Sequence, residues 1–89
     1  MPSQVVTVAS SVGLHARPAK LLITAAKESG ASVTIGRPGE TGVNAASMLS
    51  VLALGAKCGE EVEITVADGP DAESVLARLV DIVATNHDE

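Results

Sequence analysis

The period of the apolar positions changes several times along the chain, and each change marks an element. Val5-Val6-Thr7-Val8 predicts a first strand. From about Ala16 to Glu28, Ala19, Leu22, Ile23 and Ala26 recur at helical spacing, which predicts a helix with that stripe turned to a core. Ser29-Gly30 ends it, glycine suiting the left-handed conformation past a helix C-terminus. Ser32-Val33-Thr34-Ile35 predicts a second strand, Arg37-Pro38-Gly39-Glu40 a turn, and Thr41-Gly42-Val43 a short third strand. A short helix is expected from about Ser47 to Leu54, stopped by Gly55. Glu61-Val62-Glu63-Ile64-Thr65-Val66 alternates strictly, so that strand should bury one face and turn the other to water. The last helix is expected to begin near Gly69-Pro70, proline being permitted in the first turn. Its stripe is Val75, Leu76, Leu79, Ile82 and Val83, and Asp71 and Glu73 sit where the helix dipole favours acids. The polar tail from Thr85 to Glu89 is expected to fray.

Three amphipathic helices and a half-polar sheet imply an α+β fold, an open-faced two-layer sandwich with all three helices on one face. The pattern leaves strand order open, because a ferredoxin-like arrangement of the βαββαβ part would read the same way. Eighty-nine residues without linker or repeat suit one domain over residues 1–89. With no Phe, Trp or Tyr, the core must be filled by aliphatic side chains and methionine. Cys58 is the only cysteine, which excludes an internal disulfide and a multi-cysteine metal site. Nothing resembles a metal-ligand cluster or a phosphate-cradling glycine loop, so no metal or cofactor is expected. The start lacks a basic segment ahead of an apolar one, and no apolar run is long enough for a bilayer. A cytoplasmic, non-membrane protein is expected.

Charge is more informative in its distribution than in its sum. The formal net charge of −5 argues against nucleic acid as a partner, as does the absence of stacking aromatics. Yet the first 27 residues hold Arg17, Lys20 and Lys27 and no acid, while all eleven acids lie beyond them. The first helix is therefore a positive feature on an acidic chain. It is suited to anionic groups and acidic surfaces, although such runs are commonly only a solvated face.

The middle helix carries more apolar residues than one buried face needs. Val51 and Leu54 lie one turn apart and make a core pair, which would leave Met48, Leu49 and Leu52 facing outward. Periodicity alone also allows a helix buried on several sides. Ser47 at its start is among the best N-cap residues.

The candidate chemistry lies in Gly13-Leu14-His15-Ala16-Arg17-Pro18-Ala19, where a strand gives way to the first helix. A helix start leaves backbone N–H groups free and favours anions. Pro18 costs nothing in the first turn. Arg17 brings a donor fork that fits phosphate. His15 is a poor N-cap, which points to a nucleophile and not to a structural residue.

This heptapeptide resembles the active-site motif of HPr, the histidine-containing phosphocarrier of the bacterial sugar phosphotransferase system, and the likeness extends along the whole chain. The resemblance implies a predominantly antiparallel sheet of order 1-4-2-3. It implies a carrier and not an enzyme, phosphorylated on His15 at Nδ1, with Ala16 and Arg17 holding the phosphate. Its partners would be enzyme I, which is charged by phosphoenolpyruvate, and the IIA domains of sugar permeases. They would dock on Lys20, Leu21, Met48, Leu49 and Leu52, and the carrier itself would be a monomer. Some HPr proteins are regulated by a serine kinase at the position of Ser47. Here the lysine often found before that serine is Ala46, which favours an ordinary helix cap. Val12 also departs from the small polar residue that many members use near the phosphate. An HPr-like paralogue in a dedicated regulatory relay would use the same His15. A purely regulatory module would typically lose it, and an independent enzyme would need a second catalytic group.

Overall fold

The computed structural model describes residues 2–9, 16–55 and 57–85, with the backbone alone at 16–18. The element order is β1 (Ser3–Thr7), α1 (Ala16–Ser29), β2 (Val33–Gly36), β3 (Val43–Asn44), α2 (Met48–Leu54), β4 (Glu61–Val66) and α3 (Ala72–Ala84). The four strands form one sheet in the order β1-β4-β2-β3. Every pairing is antiparallel, with Val5 opposite Glu63, Ile35 opposite Ile64, and Ile35 opposite Val43. β4 lies between β1 and β2 and β1 does not pair with β3, whereas a ferredoxin-like sheet sets β1 beside β3 with β4 at an edge, so that alternative is ruled out by strand order.

Alternation decides which face of the sheet is covered. Val62, Ile64 and Val66 on β4, Val33 and Ile35 on β2 and Val6 on β1 are buried. Their neighbours Val5, Thr7, Thr34 and Glu61 are exposed on the other face. The helices supply the opposing half of the core through Ala19, Leu22, Ile23, Val51, Leu76, Leu79 and Val83. No aromatic ring is needed, because small and branched side chains interlock at crystal-like density. Ala25, Ala45 and Ala72 are buried as well. They allow close approach and carry too little hydrophobicity to stand out in the sequence pattern.

The boundaries differ from expectation by one to three residues. The first strand starts earlier, at Ser3, because its backbone is held by β4 and not by its own apolar run. The third strand is Val43–Asn44 and not Thr41–Val43. A Cβ built on Gly36 would lie 2.8 Å from the Gly42 Cα, so Gly42 packs against the end of β2 and pairing begins after it. The last helix starts at Ala72 with Asp71 as its N-cap residue, later than Pro70, whose segment Gly69–Asp71 forms the preceding turn. Val75 and Ile82 are only partly buried against the core, since α3 presents a narrower stripe than its apolar content suggests. Thr85 is held at the end of α3, its N–H donating to the Ile82 carbonyl and its Oγ1 to the Asp81 carbonyl at 2.7 Å. Residues 86–89 lie outside the described part.

Candidate functional site

Helix α1 begins at Ala16, so Ala16 and Arg17 occupy its first turn. That turn holds no acidic residue, and its first N–H groups have no intrahelical acceptor. The buried Ala19, Leu22 and Ile23 moor the turn to the core. On the other side the chain leaves β1 under firm hold. Val8 N–H donates to the Glu60 carbonyl and Gly59 N–H to the Val8 carbonyl, both at 2.9 Å, and Ala9 N–H donates to Val83 in the last turn of α3 at 3.1 Å. His15, Val12 and the rest of 10–15 lie outside the described residues, as does His87, and the side chains of Ala16 and Arg17 are not described. The elements fixed on either side are the start of α1 and the junction of β1, β4 and α3.

The apolar surface takes the outward arrangement for α2. Val51 is fully buried, whereas Leu49 is 82% exposed and Met48 and Leu52 are 39% and 40% exposed. Leu21 on α1 is 40% exposed, and Lys20 beside it is exposed too. α1 and α2 pack against one another. Among the described residues, four of the five exposed large apolar side chains therefore sit on two adjacent helices, and the fifth, Val5, is on the open face of the sheet. Leu54, expected to be the second core residue of α2, is only partly buried and packs against the edge of the core at the last position of the helix.

Ser47 caps α2 in the ordinary way, its Oγ accepting from the Ser50 N–H at 3.3 Å. Asn44 makes the preceding turn, its Oδ1 accepting from the Ala46 N–H at 2.9 Å. At the other end Gly55 adopts φ +67°, and its N–H returns to the Leu52 carbonyl. Sequence reasoning missed what surrounds this end. The Arg37 guanidinium donates to the Leu54 carbonyl at 3.4 Å and pairs with the Glu60 carboxylate at 3.0 Å. The second carboxylate oxygen of Glu60 accepts from the Lys57 N–H at 2.7 Å. That backbone bond, and then the Arg37 guanidinium, hold the Glu60 carboxyl below its ordinary pKa. No local pattern links a turn arginine to a glutamate twenty-three positions on.

No group of acidic, histidine or cysteine side chains among the described residues has metal-site geometry, and no described helix is long and apolar enough to cross a membrane. An open groove of about 340 Å³, lined by residues such as Ser29, Gly30, Ala67 and Asp71, lies at the C-terminal end of α1, away from Arg17 and from α2.

Comparison with known proteins is consistent along the chain. Residues 2–85 match the family model described as the PTS HPr component phosphorylation site. The chain is 45% identical over 89 residues to the phosphocarrier protein HPr of Streptomyces coelicolor, covering all of this chain and 95% of that one. It is 47% identical over 81 residues to the phosphocarrier protein HPr of Haloferax volcanii, covering 90% of each. The crystal structure of HPr-C-His from Thermoanaerobacter tengcongensis superposes with a TM-score of 0.84 at 29% identity, covering 93% of this chain and 91% of that one.

Proposed function

Because the chain belongs to the HPr family of phosphotransferase-system phosphocarriers, we propose that His15 is the residue that carries the phosphoryl group. We further propose that residues 1–89 form one HPr-type domain acting between enzyme I and the IIA domains of sugar permeases. The observation that carries this reading is the start of α1 at Ala16, immediately after His15 in the chain, in a first turn free of acidic side chains. Nδ1 of His15, unprotonated, attacks the phosphorus of the phosphorylated donor. The new N–P bond forms as the bond to the donor breaks. The phosphoryl group then leaves for the acceptor in the reverse sense, so the carrier ends unchanged.

Magnitudes favour a carrier over a trap. The helix N-terminus contributes about 0.3–2 kcal/mol to an anion. A charge-assisted hydrogen bond from Arg17 adds roughly 1.5–3 kcal/mol before desolvation. Both are small enough to leave the group transferable, and partners supply the remaining transition-state electrostatics. The exposed Leu21, Met48, Leu49 and Leu52 supply a docking surface of the kind that an exposed apolar patch normally marks, and Lys20 borders it. The protein acts as a cytoplasmic monomer that is itself the substrate and donor of phosphotransfer. Ser47 serves as the cap of α2.

Incubation with phosphoenolpyruvate and enzyme I from the same organism tests this directly. One acid-labile phosphoryl group should appear, and His15→Ala should abolish it while His87→Ala leaves it intact. Normal labelling of the His15 variant would overturn the assignment.

A further inference from the structure

Helix α2 poses a mechanical problem. It has seven residues, of which only Val51 is buried, and a helix so short is unstable in isolation. Its outward side chains are the ones offered to a partner, so they contribute little to holding it in place. Its pose must come from its ends. Ser47 secures the first turn. At the last turn α2 has no basic residue of its own to meet the exposed carbonyls and the negative end of the dipole.

Arg37 supplies that charge from another element. It follows β2 directly, and one of its terminal nitrogens reaches the Leu54 carbonyl while the other pairs with Glu60. Glu60 directly precedes β4, where its carbonyl accepts from Val8 of the strand-end junction and its carboxylate accepts from Lys57. Gly36 and Glu63, next to these two residues in the chain or nearly so, are paired across the sheet. The fork therefore joins the end of α2 to the two central strands. A planar guanidinium serves two acceptors at fixed angles, which an ammonium does not.

We propose that Arg37, held by Glu60, is a positioning residue that sets the pose of α2 and thereby the affinity of the Met48–Leu49–Leu52 surface for its partner. The inference rests on the docking role proposed above and adds a determinant that itself lies outside the apolar surface.

Three variants test it: Arg37→Gln, Glu60→Gln and the pair together. Amide hydrogen exchange at Ala53, Leu54 and Gly55 reports the brace without any partner. It should quicken about threefold to tenfold in each single variant, the scale of local opening at a helix end, while exchange in β4 and α3 stays at the parent rate. Affinity for enzyme I should fall about fivefold in each, with the double variant no worse than the weaker single, as expected for two residues acting through one interaction. Unchanged exchange in α2 overturns the brace. Exchange that quickens with unaltered affinity overturns its role in docking. If Arg37→Gln weakens binding while Glu60→Gln does not, Arg37 acts by touching the partner and the positioning role is overturned. Labelling of the parent at His15 tests the carrier reading separately.

Discussion

At the scale of single residues, the decisive contrast is between neighbours on α2. Leu49 is almost wholly in water and Val51 is wholly out of it. Leu49→Glu places a carboxylate at the second position of the helix, where the dipole tolerates it, so the unfolding free energy should stay within about 0.5 kcal/mol of the parent. The same charge would have to be desolvated on docking, and affinity for enzyme I should fall tenfold or more, about 1.4 kcal/mol. Val51→Glu should do the opposite and unfold the protein, since an unpaired interior charge costs about 3–5 kcal/mol. A melting curve and a titration with enzyme I on the two variants separate the effects. Arg17 is expected to act on the phosphate alone. Arg17→Ala should slow phosphoryl transfer about tenfold or more, equivalent to about 1.4 kcal/mol of lost transition-state stabilisation. Thermal stability should move by less than about 1 kcal/mol. Stopped-flow transfer rates at limiting and saturating donor provide the check.

At the scale of elements, two local arrangements carry predictions. The hairpin of β2 and β3 closes over two glycines, and a Cβ on Gly36 would stand 2.8 Å from the backbone of Gly42. Backbone cannot swing aside as a flexible side chain does. Gly36→Ala should therefore force β3 off the sheet edge and cost about 1–3 kcal/mol in a denaturant titration, although glycine to alanine is usually mild in a strand. The link from Arg37 to Glu60 has a pH dependence of known sign. Because the folded-state pKa of Glu60 is lowered from 4.5, its contribution to stability is complete above the unfolded value and is lost as the pH falls through the folded one. The difference in melting midpoint between the parent and Glu60→Gln should thus be constant from pH 7 down to about 5.5 and vanish in stronger acid. A difference that grew on acidification would contradict the pairing.

At the scale of the whole molecule, the charge asymmetry turns a −5 protein into one that leads with a basic helix. Association with an acidic partner should be steered by that helix. Raising salt from about 0.05 to 0.5 M should slow the association rate several-fold while barely moving the melting midpoint. Rapid-mixing measurements at several ionic strengths would reveal it.

Much of the architecture was legible in the chain itself. Strict alternation over Glu61–Val66 matched β4 residue for residue, and the apolar spacing of α1 and α3 located their buried faces. Gly30 and Gly55 stop their helices with positive φ, as their positions suggested. These features are local, since a period of two or of 3.6 and a residue without Cβ act within a few positions of themselves. The motif around His15 is local in the same sense, and it identified the candidate chemistry before any packing was known.

What only the tertiary structure decided was whatever depends on partners distant in the chain. Periodicity left strand order open, because the 1-4-2-3 and ferredoxin-like orders share one hydrophobic pattern; the likeness to HPr implied the first, and the pairing of β1 with β4 and of β4 with β2 bears it out. The choice between an exposed and an enclosed α2 needed to know what lay above it, and periodicity carries no such information. The bond from Arg37 to the end of α2, and the carboxylate that holds it, join residues whose neighbours in sequence say nothing of one another. Sequence determines an element through near-neighbour sterics and solvent preference. The assembly is decided by which surfaces meet, and that is settled only when the whole core closes.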